Sequence, residues 1–134
     1  MTKSLTISNL SKQASVKVST IRYYQKIGLF PIPSKNQSGY HNYSNEDLEL
    51  LKFIKQTQKF GFSLGEIKEI IVTKSNPETK CGEMKNIVDL KIEELSKQIQ
   101  ELSNIKTDLA KLSYTCPENT SIDNCPIIEA FKNE

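Results

Sequence analysis

Six positions seven residues apart, Cys81, Val88, Leu95, Leu102, Leu109 and Cys116, form one line through the C-terminal half of the sequence. Seven residues are close to two helical turns, so all six fall on one face of an α-helix. From Pro77 to Leu112 there is no internal proline, and Gly82 is the only glycine. Ile92, Ile99 and Leu112 widen the apolar stripe, and charged residues fill the other faces. Asn76-Pro77 predicts the start, because proline at the first helical position loses no needed N–H. Such a helix has about 36 residues and a length of about 54 Å, too long to bury its stripe against a domain this small. It needs a partner, and the simplest is a second copy of itself, giving a homodimer.

The register also constrains the cysteines. Cys81 and Cys116 close the seam at its two ends, about 52 Å apart along one helix, so one chain cannot bring both to a common ion. In an antiparallel pair, Cys81 of one chain lies near Cys116 of the other, and twofold symmetry makes two equal sites. A parallel pair would instead set Cys81 on Cys81. Cys125 supplies a third sulfur. Cys116-Pro117 ends the helix, the polar segment 117–124 reads as a loop, and Cys125-Pro126 returns the chain, followed by Ile127, Ile128 and Phe131 on a short amphipathic tail. The one histidine, His41, lies far away in sequence. Structural zinc normally takes four ligands. Three thiolates suit a large soft ion that accepts trigonal coordination, Hg(II) first, with Pb(II) and Cd(II) as alternatives. Two other readings of the same thiols are unrelated cysteines packed as small hydrophobes and a redox sensor that responds to peroxide without metal.

The three cysteines are an odd number with no secretory leader ahead of them, which argues against a disulfide framework. No apolar run approaches about 18 residues. A cytoplasmic chain with no membrane partner is therefore expected. No nucleophile–base pair, phosphate loop or catalytic carboxylate pair is visible, so an enzyme is not expected.

Charge divides the chain. Residues 1–80 carry a formal +6 and residues 81–134 a formal −4, which points the N-terminal half toward a polyanion. That half opens with two short helices. Thr6 caps the first, with apolar Ile7, Leu10 and Ala14; the second runs from about Val18 to Ile27 and stops at Gly28. The tight link between them suits a helix-turn-helix over about residues 6–25. Pro31, Pro33 and the Ser38-Gly39 turn signal then suggest a β-hairpin wing over 29–43. Two further helices start at Ser44 and at the capping box Ser63–Glu66. The expected fold is mainly α. A winged helix-turn-helix DNA-binding domain (1–75) precedes a dimerisation helix forming an antiparallel coiled coil (76–114), then a metal-binding loop and tail (115–134).

The residues Thr20-Ile21-Arg22-Tyr23-Tyr24-Gln25, Gly28-Leu29, Gly39-Tyr40, Tyr43, Gly61-Phe62-Ser63-Leu64 and Glu66-Ile67 resemble the MerR family of transcription regulators. Lys80-Cys81, Cys116-Pro117-Glu118-Asn119 and Asn124-Cys125-Pro126-Ile127-Ile128-Glu129 are similar to the mercury-responsive branch of Gram-positive type. The resemblance spans nearly the whole chain. It implies a homodimer on double-stranded promoter DNA that represses without metal. With two Hg(II) per dimer, each held by Cys81 of one subunit and Cys116 and Cys125 of the other, it distorts the DNA so that RNA polymerase engages a mercury-resistance operon. It also implies DNA contacts at Lys17, Ser19, Thr20, Arg22 and Tyr24 on the second helix, and at Lys35, Tyr40 and His41 in the wing. Three departures stand out. His41 replaces the arginine usual after the wing's Gly-Tyr, Ser15 replaces the usual turn glycine, and the adjacent cysteine pair of the zinc branch is absent, with Thr115 before Cys116.

Overall fold

The computed structural model describes residues 4–33 and 42–133. Helix α1 (Ile7–Ala14) starts where the Thr6 side chain accepts a hydrogen bond from the Asn9 N–H at 3.1 Å. It ends in a Schellman motif: Ser15 N–H reaches Lys12 O and Val16 N–H reaches Ser11 O. Ser15 takes the left-handed position of that motif, with φ 55° and ψ 44°. Glycine fills this position without a Cβ penalty, whereas serine pays one. Ser15→Gly is therefore expected to stabilise the fold by about 1 kcal/mol, a rise of about 3–5 °C in melting temperature; a thermal melt of the two chains checks it.

Helix α2 (Val18–Lys26) closes with a second Schellman motif, Gly28 N–H to Gln25 O and Leu29 N–H to Tyr24 O, and Gly28 sits at φ 77°. Helix α3 (Asn45–Lys59) and helix α4 (Leu64–Ser75) each begin with a reciprocal capping box, Ser44 with Asp47 and Ser63 with Glu66. Each box satisfies two N–H groups that would otherwise lack partners. α1 packs on α2 and α3, and α3 packs on α4. Leu10, Ile21, Leu51, Ile54 and Ile67 are fully buried at the centre of this unit. The Lys74 ammonium lies over the Phe53 ring, 5.1 Å from its centroid, adding a cation–π contact between α3 and α4.

Among the described residues all regular structure is helical, apart from one isolated antiparallel bridge between Leu5 and Tyr43. The hairpin expected over 29–43 falls largely on residues 34–41, outside the described residues. On its described flanks, Tyr43 pairs with Leu5 at the start of the chain: both N–H···O bonds are 2.8 Å, and Tyr43 stacks on Phe30 with centroids 6.1 Å apart.

The long helix begins later than Pro77. Residues 76–79 form a β-turn closed by Thr79 N–H to Asn76 O at 3.0 Å, with Pro77 in its second position. The Asn76 side chain also accepts from the Glu78 N–H, the local bond that makes Asn-Pro a turn former. Helix α5 then runs from Cys81 to Tyr114, 34 residues. A single 3₁₀ turn (Ile122–Asn124) and helix α6 (Pro126–Lys132) follow, packed on each other. The chain divides into two compact units, residues 1–84 and 85–134, with the division inside α5. No helix among the described residues is long and apolar enough to cross a membrane.

Candidate functional site

Helix α2 presents two opposite faces. Ile21 and Tyr24 face the core, at 0% and 5% exposure. Lys17, Ser19, Arg22, Tyr23 and Lys26 are exposed, and Thr20 is half-buried. Ser19, Arg22 or Tyr23, and Lys26 recur at helical spacing, so they share the outer face.

Tyr24 does not belong on that face. Its hydroxyl donates to Gln58 Oε1 at 2.6 Å, tying α2 to α3. Burial pushes its phenol pKa above the ordinary 10.0, and the Gln58 hydrogen bond pulls the other way. The expectation of Tyr24 as a contact residue is corrected accordingly, because helical geometry turns the i+3 neighbour of Ile21 inward with it. The tyrosine that faces outward is Tyr23, 52% exposed. Lys26, which the sequence reading passed over, joins it, and its signal was present in the four-residue step from Arg22. Tyr43 is core, 2% exposed. Lys35, Tyr40 and His41 lie outside the described residues.

Gln25 links α2 to the base of the next segment. Its side-chain amide donates to Tyr43 Oη at 2.8 Å and to Pro31 O at 3.2 Å. One side chain thus touches both ends of the connection between α2 and α3.

The cysteines occupy distinct settings. Cys81 is the first residue of α5 and exposed. The last turn of α5 tightens, with Thr115 N–H to Leu112 O and Cys116 N–H to Ser113 O, so Cys116 stays close to the helical register two residues past its end. Cys116 is half-buried. Beyond Pro117, Glu118 adopts φ 62°, and its N–H points at Cys116 Sγ, 3.4 Å away. A backbone N–H aimed at sulfur fixes its orientation, as outer partners do for metal ligands. Cys125 is half-buried and precedes Pro126 at the start of α6. Within one chain, no group of three His, Cys, Asp or Glu side chains among the described residues is placed to hold a metal ion.

The α5 seam is open. Val88, Ile92, Leu95, Ile99, Leu102, Ile105 and Leu109 are between 37% and 66% exposed. Lys91 is the exception, at 5%, with its ammonium 2.8 Å from Glu94. Large apolar side chains in one row, each left this open, need another surface to cover them.

Residues 5–73 match the family described as MerR HTH family regulatory protein, and residues 48–112 match the family described as MerR, DNA binding. The mercuric resistance operon regulatory protein of Bacillus cereus is 40% identical over 93% of this chain and 95% of its own length. The crystal structure of the MerR regulator of Bacillus megaterium MB1 in complex with mercury(II) superposes with a TM-score of 0.74 at 36% identity, covering 96% of this chain and all of that one. The regulator PbrR691 of Ralstonia metallidurans CH34, in complex with lead(II), gives a TM-score of 0.84 at 28% identity, covering 95% of this chain and 98% of that one. With its N-terminal helix-turn-helix, the long α5 and matches that run nearly end to end, the chain belongs to the MerR family of DNA-binding transcription regulators, which are not enzymes.

Proposed function

We propose that the chain is a mercury(II)-sensing regulator of a mercury-resistance operon, a homodimer that represses without metal and activates by distorting promoter DNA when metal is bound. The observation that carries this is the register of Cys81 and Cys116 at the two ends of an exposed apolar helix. If Cys81 of one subunit is set against Cys116 of the other in an antiparallel pair, every residue i faces residue 197 − i of the partner. Val88 then meets Leu109, Leu95 meets Leu102 and Ile92 meets Ile105. An alignment chosen for the cysteines alone thus covers the open apolar row with itself.

Cys81 of one subunit, with Cys116 and Cys125 of the other, would hold the ion, two per dimer. The donor set fits: sulfur ligands select soft ions, and the Glu118 N–H already steadies one sulfur. A bound ion supplies a rigid three-sulfur link between the subunits. The chain's own part is to convert that link into one preferred dimer shape, which α2 of each subunit imposes on the spacing of promoter elements read by RNA polymerase. The mercuric regulator of Bacillus cereus and the mercury-bound structure from Bacillus megaterium support mercury as the effector. The lead-bound neighbour favours one second reading, the same scaffold tuned to Pb(II) or Cd(II). Titration with each metal under excess small thiol, read by sulfur-to-metal charge-transfer absorbance and by promoter transcription, separates them. Mercury outcompeting the other two supports the proposal, and cadmium or lead outcompeting mercury defeats it.

On DNA, Lys17, Ser19, Thr20 and Tyr23 would face the major groove, with Arg22 on a phosphate; Lys35, Tyr40 and His41 would reach the backbone from the wing. Arg22→Ala is expected to weaken binding to every duplex about tenfold. It should also make the slope of log K against log salt shallower by about two per dimer, one phosphate per subunit. Binding isotherms across a salt series check both.

A further inference from the structure

Helix α2 has no side-chain cap of its own: Lys17 stands at its N-cap without a capping bond. Its pose therefore depends on the turn before it, residues 15–17. That turn is strained at Ser15, and at its start are carbonyls from the C-terminal end of α1, the negative end of a helix dipole. A residue forty positions away in sequence meets them. Lys55, from the middle of α3, donates its ammonium to Ser15 O at 2.8 Å and to Ala14 O at 3.4 Å. The Ser11 hydroxyl adds a bond to Val16 O at 2.6 Å. Ala14 and Val16, which flank Ser15, are in the core. The turn is thus held on its inner side by packing and on its polar side by the Lys55 ammonium and the Ser11 hydroxyl.

We propose that Lys55 is a positioning residue for DNA recognition: it pins the α1–α2 turn by its carbonyls and so sets the angle at which α2 meets the major groove. Its charge is committed to protein carbonyls, so it acts through α2 and not on a phosphate. The inference rests on α2 being the DNA-reading helix.

The test uses the full-length chain with Lys55→Met and Lys55→Arg. Methionine keeps the length and apolar stem but removes the donors; arginine keeps the cation. Amide hydrogen exchange of Val16 to Ser19 is measured in the free protein. Binding is measured to a duplex selected by the wild-type chain from a random pool, and to random duplex, across a salt series. Lys55→Met is expected to speed exchange in the turn at least tenfold. It should weaken binding to the selected duplex about tenfold, while binding to random duplex and the salt slope stay at wild-type values. Lys55→Arg should restore the selected-duplex affinity. Equal losses on both duplexes with a shallower salt slope would make Lys55 a phosphate contact and overturn the proposal. So would unchanged exchange in the turn, or unchanged preference for the selected duplex. A wild-type chain that selects no duplex would instead sink the reading of α2 itself.

Discussion

Equimolar mixing of Cys81→Ala and Cys116→Ala chains is expected to regain about one quarter of the wild-type trigonal sulfur-to-mercury absorbance, although neither variant shows that band alone. The fraction follows from symmetry. Random pairing makes about half the dimers mixed, and each mixed dimer keeps one of its two sites whole. The intact site takes Cys81 from the Cys116→Ala chain, and Cys116 and Cys125 from the other. Cys81→Ala mixed with Cys125→Ala should recover in the same way. Cys116→Ala mixed with Cys125→Ala should not, because those two ligands come from one subunit. A site built within a single chain predicts no recovery in any mixture. A metal pair made by Cys81 alone predicts that Cys116→Ala retains full binding. Each single variant should also lose metal-dependent transcription while keeping its affinity for promoter DNA.

Leu102→Lys should raise the dimer dissociation constant about a thousandfold. Two leucines per dimer lose their burial, at about 2 kcal/mol each, and about 4 kcal/mol is close to that factor. The informative step is the second substitution. In the proposed register position 95 faces position 102 of the partner, so adding Leu95→Glu to Leu102→Lys sets opposite charges against each other twice. The double variant loses two further leucines, about 4 kcal/mol more by the same measure, but its two opposite-charge pairs should make it dimerise about tenfold more tightly than Leu95→Lys/Leu102→Lys, which sets like charges against each other. In a parallel coil, 95 meets 95 and 102 meets 102, so both double variants oppose like charges and should dimerise equally weakly. Sedimentation equilibrium of the two double variants distinguishes these outcomes.

What was legible in the sequence had a local cause. The helix starts at Thr6, Ser44 and Ser63 were readable because a hydroxyl three residues ahead of an N–H is a bond between near neighbours. Gly28 was readable as a stop because few residues tolerate positive φ. The cysteine register was readable because a helix preserves spacing over its full length. The start of α5 was misplaced by four residues, since proline serves the first turn of a helix and the second position of a β-turn equally well. Here the Asn76 side chain decides for the turn. Tyr24 was misassigned for a different reason. Two adjacent tyrosines look alike as residue types; the three-residue step from Ile21 is what turns Tyr24 inward, where its hydroxyl meets Gln58 of α3. Lys55 left no signal, because its partners are backbone carbonyls brought near by folding.

The most direct measurement of the central claim is the distance between two copies of one label on α5. A nitroxide-bearing non-natural residue at Asn86 leaves all three cysteines in place and lies on an exposed turn of α5. Head-to-tail helices in the proposed register put position 86 opposite position 111 of the partner. The two labels would then be about 38 Å apart along the axis, from the helical rise per residue. Pulsed electron–electron resonance on the dimer should find that long distance. A distribution centred near about 10 Å, the spacing of two helices running side by side in the same direction, would contradict it.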